Sequence, residues 1–304
     1  MISSQALQHF YVQACALDVE AFKPGNVSVY SPGHGMHADQ FYLSAQASAP
    51  YVSDPNRSLG ERIYLAVEAT HHAVGCNTNL GIVLLSVPLI KAVQDVHTGQ
   101  MRGRLRRILE ASTRKDAAWV YRAIRLANPG GLGQVASEDV SREPSLTLLE
   151  VMRLAKDYDR IAFNYAFFYQ DIYELAIPRY HDAVSRWGDE RLAVVATFVA
   201  LLRRIPDTHV RRKFGWRYQE MIQARMAQLE KALTQADELE QVLPEIWKID
   251  QEFKDKGINP GTTADMVVAT LLAARLEQLI SPKRPGRAGT AGSVWLDWGR
   301  QPCL

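Results

Sequence analysis

The chain of 304 residues and 34.1 kDa is long enough to bury roughly three quarters of its unfolded surface without disulfide support. Its 47% apolar and 22% charged residues exclude a disordered, collagen-like or mucin-like chain, and a net charge of +2 gives no general pull toward nucleic acid. The longest apolar runs, residues 82–90, 192–202 and 266–274, fall short of the ~20 residues that span a bilayer, so no membrane partner is expected.

Apolar residues recur at three- and four-residue spacing over residues 6–22, 61–71, 78–96, 117–126, 146–186, 190–203, 207–253 and 263–280. No alternating stretch bounded by hairpin turns competes with them. The expected fold class is therefore all-α: a single compact multi-helix domain over residues 1–280, with a polar central cavity lined by interhelical loops. Residues 281–304 form a Pro/Gly-rich tail whose Trp295 and Trp298 are compatible with docking as well as with disorder. The first residues, Met-Ile-Ser-Ser-Gln, lack the basic and apolar stretches of a secretion signal. Cys15, Cys76 and Cys303 offer neither an even set nor a Cys-x-x-Cys pair, so a cytoplasmic setting is expected. A homo-oligomer is compatible with all of this.

The breaks between helices, residues 23–39, 75–81, 128–139, 206–209 and 259–265, collect Gly, Pro, Asn, Asp and His. Lys23-Pro24-Gly25-Asn26 and Gly33-His34-Gly35-Met36-His37-Ala38-Asp39 place a cation, an amide, imidazoles and a carboxylate in one loop. A turn-rich connector and a His34/His37/Asp39 metal site both fit that pattern. Gly75-Cys76-Asn77-Thr78-Asn79-Leu80-Gly81 leads into an apolar helix whose start suits phosphate, although the Gly-Lys-Ser/Thr of a Walker loop is missing. Asn128-Pro129-Gly130-Gly131-Leu132-Gly133 has no strand before it, so a dinucleotide-binding reading fails. Asp157, Arg160, Asn164 and Asp171 share one stripe of an aromatic helix, either as structural ion pairs or as the wall of an active-site cavity. Pro206-Asp207-Thr208-His209 with Arg212-Lys213 sets a carboxylate, an imidazole and two cations within two turns; Asp207 also reads as a plain N-cap. Further on, Thr262 is placed to cap a helix, with Asp265 three residues later. A basic excess over residues 101–126 reads as a solvated helix face, or as a hold for an acidic partner or RNA.

In this order the segments resemble the triphosphoribosyl-dephospho-CoA synthase family, which makes the prosthetic-group precursor of citrate lyase and malonate decarboxylase. The blocks that carry the resemblance are Lys23-Pro24-Gly25, Gly35-x-His37-x-Asp39, Asn77-Thr78, Gly131-Leu132-Gly133 with Asp139-Val140, Asp159-Arg160-Ile161-Ala162, Pro206-Asp207-Thr208-His209 with Arg212-Lys213, and Asn259 to Asp265. The resemblance implies an all-helical pentosyltransferase in which a hydroxyl attacks the anomeric carbon of a 5-phosphorylated ribose, releasing adenine when ATP is the donor. Three departures stand out. Asn79-Leu80 replaces the family's His-Lys, Asn26-Val27-Ser28 replaces Leu-Val-Asp, and Tyr158 replaces an Arg. These resemble a branch found in methanogens and methylotrophs, which implies divergent substrates. One parallel is tetrahydromethanopterin biosynthesis, with phosphoribosyl pyrophosphate in place of ATP.

Ribosyl transfer needs a base for the hydroxyl, negative charge near the ribose and cations around the phosphates. The expected catalytic residues are Asp39, Asp159, Asp207 and His209, with Asp39, Asp139, Asp159 and Asp207 as ligands of Mg²⁺. Small phosphorylated substrates are expected at Lys23, Asn26, His37, Asn77, Thr78, Asn164, Arg212, Lys213, Asn259, Thr263 and Asp265. Two alternatives stand beside it: a ribosyl or nucleotide glycohydrolase, which uses the same charge pattern with water as acceptor, and a non-enzymatic helical binding protein whose basic segment from Arg102 to Arg125 holds an acidic partner or RNA.

Overall fold

The structure is a computed structural model and describes residues 2–95, 98–129 and 139–280; the tail expected over 281–304 and the Gly131-Leu132-Gly133 block lie outside the described residues. Every regular element among them is helical. The chain runs α1 (Ser4–Glu20), α2 (Ala38–Val52), α3 (Leu59–Val74), α4 (Leu80–Asp95), α5 (Met101–Glu110), α6 (Arg114–Ala127), α7 (Leu148–Ala155), α8 (Arg160–Ala166), a π-helical turn (Ile172–Ala176), α9 (Ile177–Trp187), α10 (Glu190–Arg204), α11 (Thr208–Phe214), α12 (Gln219–Gln235), α13 (Leu243–Asp255) and α14 (Gly261–Ile280). No described helix is long and apolar enough to cross a membrane.

Three helices, α4, α10 and α14, are buried nearly all round, and the others pack about them over one continuous core. Their sequences say why: they are the three long apolar runs, and a helix without a polar face has to sit in the interior. Side chains mark most helix starts. Ser58 with Glu61, Thr113 with Asp116 and Thr147 with Glu150 close capping boxes, while Asp159, Asp189 and Asp207 cap α8, α10 and α11.

Two of the expected helices are broken. The stretch 146–186 becomes α7, α8, the π-turn and α9, because Asp159 starts a new helix and Phe168 and Tyr169 both take left-handed backbone (φ 51° and 60°). The Tyr169 amide donates to the Asn164 carbonyl at 2.6 Å, and the basic helix α5 holds the strained turn in place. Arg102 donates to the carbonyls of Phe167 and Phe168 and to Glu174, and Arg106 lies over the Phe168 ring. Arg114 and Arg125 likewise donate to the carbonyls of Pro144 and Val140. Much of the basic excess over residues 101–126 is thus engaged within the chain. The stretch 207–253 splits into α11, α12 and α13 at Gly215 and near Ala236.

Helices α2 and α5 fall outside the stretches expected to be helical, although Met101, Leu105, Ile108 and Leu109 give α5 an apolar face at helical spacing. The buried face of α2 is Ser44, Ala45, Ser48, Ala49 and Val52, too small and polar to register as a hydrophobic stripe, yet suited to close packing between α1 and α3. In α4, Pro88 has no N–H for the Leu84 carbonyl one turn earlier. The Tyr165 hydroxyl donates to that carbonyl at 2.6 Å and so repairs the break, and Tyr169 donates to the next carbonyl, Leu85 O, at 2.9 Å.

Candidate active site

The break before α14 is organised by one carboxylate. Asp207 Oδ1 accepts the Val210 amide at 3.0 Å and so caps α11, while Oδ2 accepts both the amide and the hydroxyl of Thr263 at 2.8 Å. The expected cap, Thr262, instead accepts the His209 amide and the Thr208 hydroxyl, each at 3.2 Å. Asp207 and Thr263 are both buried and fully bonded to each other, and neither is among the residues lining a cavity. With Thr262 and Asp207 serving the backbone, Asp265 is left to face inward.

A second buried carboxylate fixes the loop after α1. Asp250 of α13 accepts the Gly25 amide and the Ser31 hydroxyl, both at 2.8 Å, and the Lys254 ammonium at 3.0 Å. Gly25 has φ +80°, and a Cβ there would press on Phe253 at 2.8 Å, which explains the Lys-Pro-Gly turn. Lys23 is fully buried, 3.2 Å from Asp18 Oδ1, and its ammonium also donates to the main-chain carbonyls of Asp18 and Ala21. It lies outside the cavity lining, so the cation expected at a phosphate instead props the Asp18 carboxylate.

That carboxylate faces a cavity of about 640 Å³ between α4, α6, α7, α8 and α14. One end is apolar, walled by Val120 and Ile124 of α6 and by Leu148, Val151 and Met152 of α7. The other end gathers Asp18, Asn26, Asn77, Thr78, Asn79, Asp159, His209, Arg212, Asn259 and Asp265. Asn77 Oδ1 accepts the Leu80 amide at 3.1 Å and opens α4; Thr78 and Ser44 share a hydroxyl contact of 2.5 Å; the Asn26 amide donates to Asn259 Oδ1 at 3.1 Å. Asp159 caps α8 through Oδ1 and accepts Arg212 at 2.7 Å through Oδ2. His209 rests against Gly261, where a Cβ would stand 2.7 Å from Nδ1. Burial, reinforced by Arg212, His34 and Lys213, lowers its pKa and favours the neutral ring, against an opposing pull from Asp207.

Among the described lining residues, four aspartates, Asp18, Asp139, Asp159 and Asp265, face one arginine, Arg212. At this end Asn79 is 4% exposed and its Oδ1 accepts no hydrogen bond, while Asp18, 2% exposed, has the Lys23 ammonium 3.2 Å from Oδ1. Asp265 Oδ2 stands 2.0 Å from where a Cβ of Gly81 would be, so Gly81 is what makes room for this carboxylate. Burial raises the pKa of both carboxyls. Asp18 and Asp207 push Asp265 further up, while Lys23 restrains Asp18. A smaller chamber of about 210 Å³ adjoins through Met36, His209 and Asn259, and is lined by His34 and Lys213.

Of the expected site residues, the structure brings Asn26, Asn77, Thr78, Asp139, Asp159, His209, Arg212, Asn259 and Asp265 to one cavity, with Lys213 in the adjoining chamber. It leaves out Lys23, Asp207 and Thr263 for the reasons above, and Asn164, which is buried against Asp171, Arg160 O and Met266. His37 and Asp39 are exposed at the start of α2, outside the lining but flanked by Met36 and Phe41, which belong to it. The four carboxylates expected around Mg²⁺ do not gather: among the described residues no group of three or more His, Cys, Asp or Glu side chains is placed to hold a metal ion. What remains fits a Mg²⁺ that arrives with a polyphosphate and takes at most one or two carboxylates, a common mode for that ion. Asp18 is missing from the sequence reading, and Gly81 enters it only as the end of the 75–81 segment. The signal for Asp18 was its position five residues before the Lys-Pro-Gly turn.

An all-helical body around a carboxylate-rich chamber of about 640 Å³ defines a class of helical protein with a site for a small polar molecule. Within that class the chain belongs to the ATP:dephospho-CoA triphosphoribosyl transferase (CitG) family, whose sequence model matches residues 4–284. Among solved structures it is similar to a "putative triphosphoribosyl-dephospho-CoA synthase" from Archaeoglobus fulgidus, at 25% identity and a TM-score of 0.61, over 79% of this chain and 98% of that one. No curated protein matches it. The pentosyltransferase class and the all-α fold expected from sequence are thereby established.

Proposed function

We propose that the protein transfers the triphosphoribosyl group of ATP to the hydroxyl of an acceptor other than dephospho-CoA. The observation that carries this reading is the charge of the cavity, where four aspartates face Arg212 and the far wall is aliphatic. Negative charge beside the ribose stabilises an oxocarbenium-like transition state, which builds positive charge at the anomeric carbon. The same charge repels a second polyanionic substrate, whereas an acceptor with a flat, weakly charged body fits the wall formed by α6 and α7.

In this reading Asn77, Thr78, Asn26 and Asn259 hold the ribose hydroxyls. Asp159, held by Arg212, and neutral His209 flank the reacting carbon. Lys213 and Arg212 meet the phosphates, and His37 and Asp39 stand at the outer rim, where a Mg²⁺ carried by ATP would sit; that ion neutralises phosphate charge. Asn79 and Leu80 line the cavity at the position of the family's His-Lys pair, and losing one charge-assisted hydrogen bond there costs ~1.5–3 kcal/mol. A pterin precursor bearing a ribityl hydroxyl is the acceptor with the shape and charge this wall favours.

The experiment mixes the protein and Mg²⁺ with ATP and dephospho-CoA, following adenine release. Parallel reactions substitute the pterin precursor, with ATP or with phosphoribosyl pyrophosphate as donor. We expect slow adenine release with dephospho-CoA and faster transfer to the pterin. Turnover with dephospho-CoA near the ~10 s⁻¹ typical of enzymes overturns the divergent acceptor and restores the family reaction unchanged.

A further inference from the structure

We infer that the chamber of about 210 Å³ beside the main cavity seats the outer phosphates of the donor nucleotide, with His34 and Lys213 as their ligands, so that the site selects a triphosphate over a mono- or diphosphate. This deepens the transfer reading above and rests on it for the donor. The two spaces share Met36, His209 and Asn259 in their walls and differ in charge. Asp18, Asp139, Asp159 and Asp265 line the main cavity, whereas no Asp or Glu among the described residues lines the chamber, whose titratable side chains are His34, His209 and Lys213. A donor that puts its ribose among the four carboxylates has to carry its phosphates away from them. The adjoining wall without carboxylates is where like charge stops opposing those phosphates.

The polar side chains of that wall are set to donate. Lys213 forms no ion pair among the described residues; its ammonium donates to the Gly257 carbonyl at 3.3 Å and lies 5.0 Å from the centre of the Phe214 ring. Arg212, one residue earlier, is bonded to Asp159 at 2.7 Å, so its charge is neutralised within the protein and that of Lys213 is not. Asn259 turns Oδ1 to the Asn26 amide at 3.1 Å, which leaves its own N–H groups for the junction it lines.

His34 sits on a tight turn closed by two main-chain bonds between Gly33 and Met36, of 3.1 and 2.9 Å. Its backbone is left-handed (φ 56°), uncommon for a residue with a side chain, and its Nε2 lies 2.9 Å from the Gly25 carbonyl. A carbonyl only accepts, so Nε2 carries the hydrogen and Nδ1 is the ring atom left for a ligand. Protonated, Nδ1 donates to a phosphate oxygen, and the anion itself favours that charge. Lys254 and Lys213 lie near the ring, and the acidic neighbour, Asp250, is already held by Lys254, Ser31 and the Gly25 amide. A polyphosphate would neutralise this positive field. The sequence offers His34 as a metal ligand with His37 and Asp39; among the described residues no such cluster forms, and phosphate gives the side chain its use.

Calorimetry of the full chain with inorganic tripolyphosphate, pyrophosphate and phosphate tests the chamber without any transfer. Tripolyphosphate should bind most tightly and phosphate least. His34→Asn, which keeps a residue tolerant of left-handed backbone, and Lys213→Met should each weaken tripolyphosphate about tenfold, the loss expected of one charge-assisted bond at a partly open site. Lys213→Arg should recover most of that loss. Lys248→Met removes a charge from an exposed position outside both walls and should change nothing. With nucleotides, His34→Asn and Lys213→Met should weaken ATP about tenfold and leave AMP binding as it was. Absence of tripolyphosphate binding, or equal losses for ATP and AMP, overturns the site. So does a loss with Lys248→Met as large as with Lys213→Met, since the attraction would then be general charge. Tripolyphosphate binding that follows the expected pattern while no acceptor is ribosylated keeps the site and overturns the transfer reading. Ribosyl transfer with an unchanged KM for ATP in both variants keeps that reading and overturns the site.

Discussion

Two polar clusters of this molecule look alike in the sequence and differ in the fold. Arg160, Asn164 and Asp171 lie around α8; Asp18, Asn79 and Asp265 lie at the head of the cavity. In the first, Arg160 grips Asp171 through two bonds of 2.7 Å, and the Asn164 amide donates to the same carboxylate at 3.0 Å. Each set keeps one buried amide oxygen without a donor, Asn164 Oδ1 in the first and Asn79 Oδ1 in the second, but only the second lines the cavity. Both sets are polar, both sit among aromatic or apolar residues, and composition does not separate them. Placement does: a network whose charges pair with one another away from the cavity holds the chain in shape, and one whose carboxylates line it is open to a ligand.

The largest effect that would break this comparison is at Asp265. Asp265→Asn is expected to remove most turnover while raising the melting temperature at neutral pH. The sign follows from the raised pKa of the folded carboxyl. Such a group contributes its full stability below the unfolded carboxylate value and loses it as pH rises toward the folded value. The wild type should therefore weaken over that window, and the variant, with nothing to ionise, should not. Thermal melts of both proteins from acidic to neutral pH check this; a variant less stable at every pH would place Asp265 among the structural carboxylates.

Gly81→Ala comes next, because the new Cβ would fall 2.0 Å from Asp265 Oδ2 and 2.8 Å from Ile161 Cδ1. The carboxylate must swing away, and misplacing a reacting group by about an ångström costs roughly 100-fold in rate. Stability should fall by only ~1–2 kcal/mol, since a side-chain tip can yield. Steady-state kinetics and a urea melt separate the two.

The opposite pattern is expected in the closed network. Asp171→Ala leaves the Arg160 guanidinium without its bidentate partner and should cost about 3 kcal/mol of stability. It should leave the turnover of the folded fraction nearly unchanged. Loss of turnover at intact stability would move this network into the active site.

These contrasts also show what the sequence made legible. The all-α class and the three buried helices α4, α10 and α14 follow from long apolar runs. The helix starts at Asp159, Asp189 and Asp207 follow from capping chemistry. Most of the motif residues around the cavity were legible as well, because loops between helices concentrate chemistry-bearing residues. What escaped depends on who partners whom across the fold. Asp207 reads equally as catalyst or cap until Thr263 is seen bonded to it; Lys23 reads as a phosphate ligand until it is found buried under Asp18. Asp18 itself sits in α1 with no motif around it, and the room for Asp265 depends on the missing side chain of Gly81, on another helix.

The smallest expected effect lies where the closed and open regions touch. Tyr165, beside Asn164 in α8, sends its hydroxyl to the Leu84 carbonyl that Pro88 leaves without a helical donor, and Leu84 is itself part of the cavity wall. Tyr165→Phe keeps the ring in the core and removes only the donor. A buried carbonyl left unpaired costs ~1–3 kcal/mol, and because a carbonyl tolerates loss better than an N–H, the lower end is expected here. The strain would be felt in α4 at the turn that follows Gly81, so turnover should fall two- to threefold at most, roughly the change that ~0.5 kcal/mol produces. A denaturant melt reads the first quantity and steady-state kinetics the second. A loss of turnover beyond tenfold with the same small change in stability would mean that the tyrosine bond positions α4 for catalysis, and that the two regions are one machine rather than a scaffold and a site.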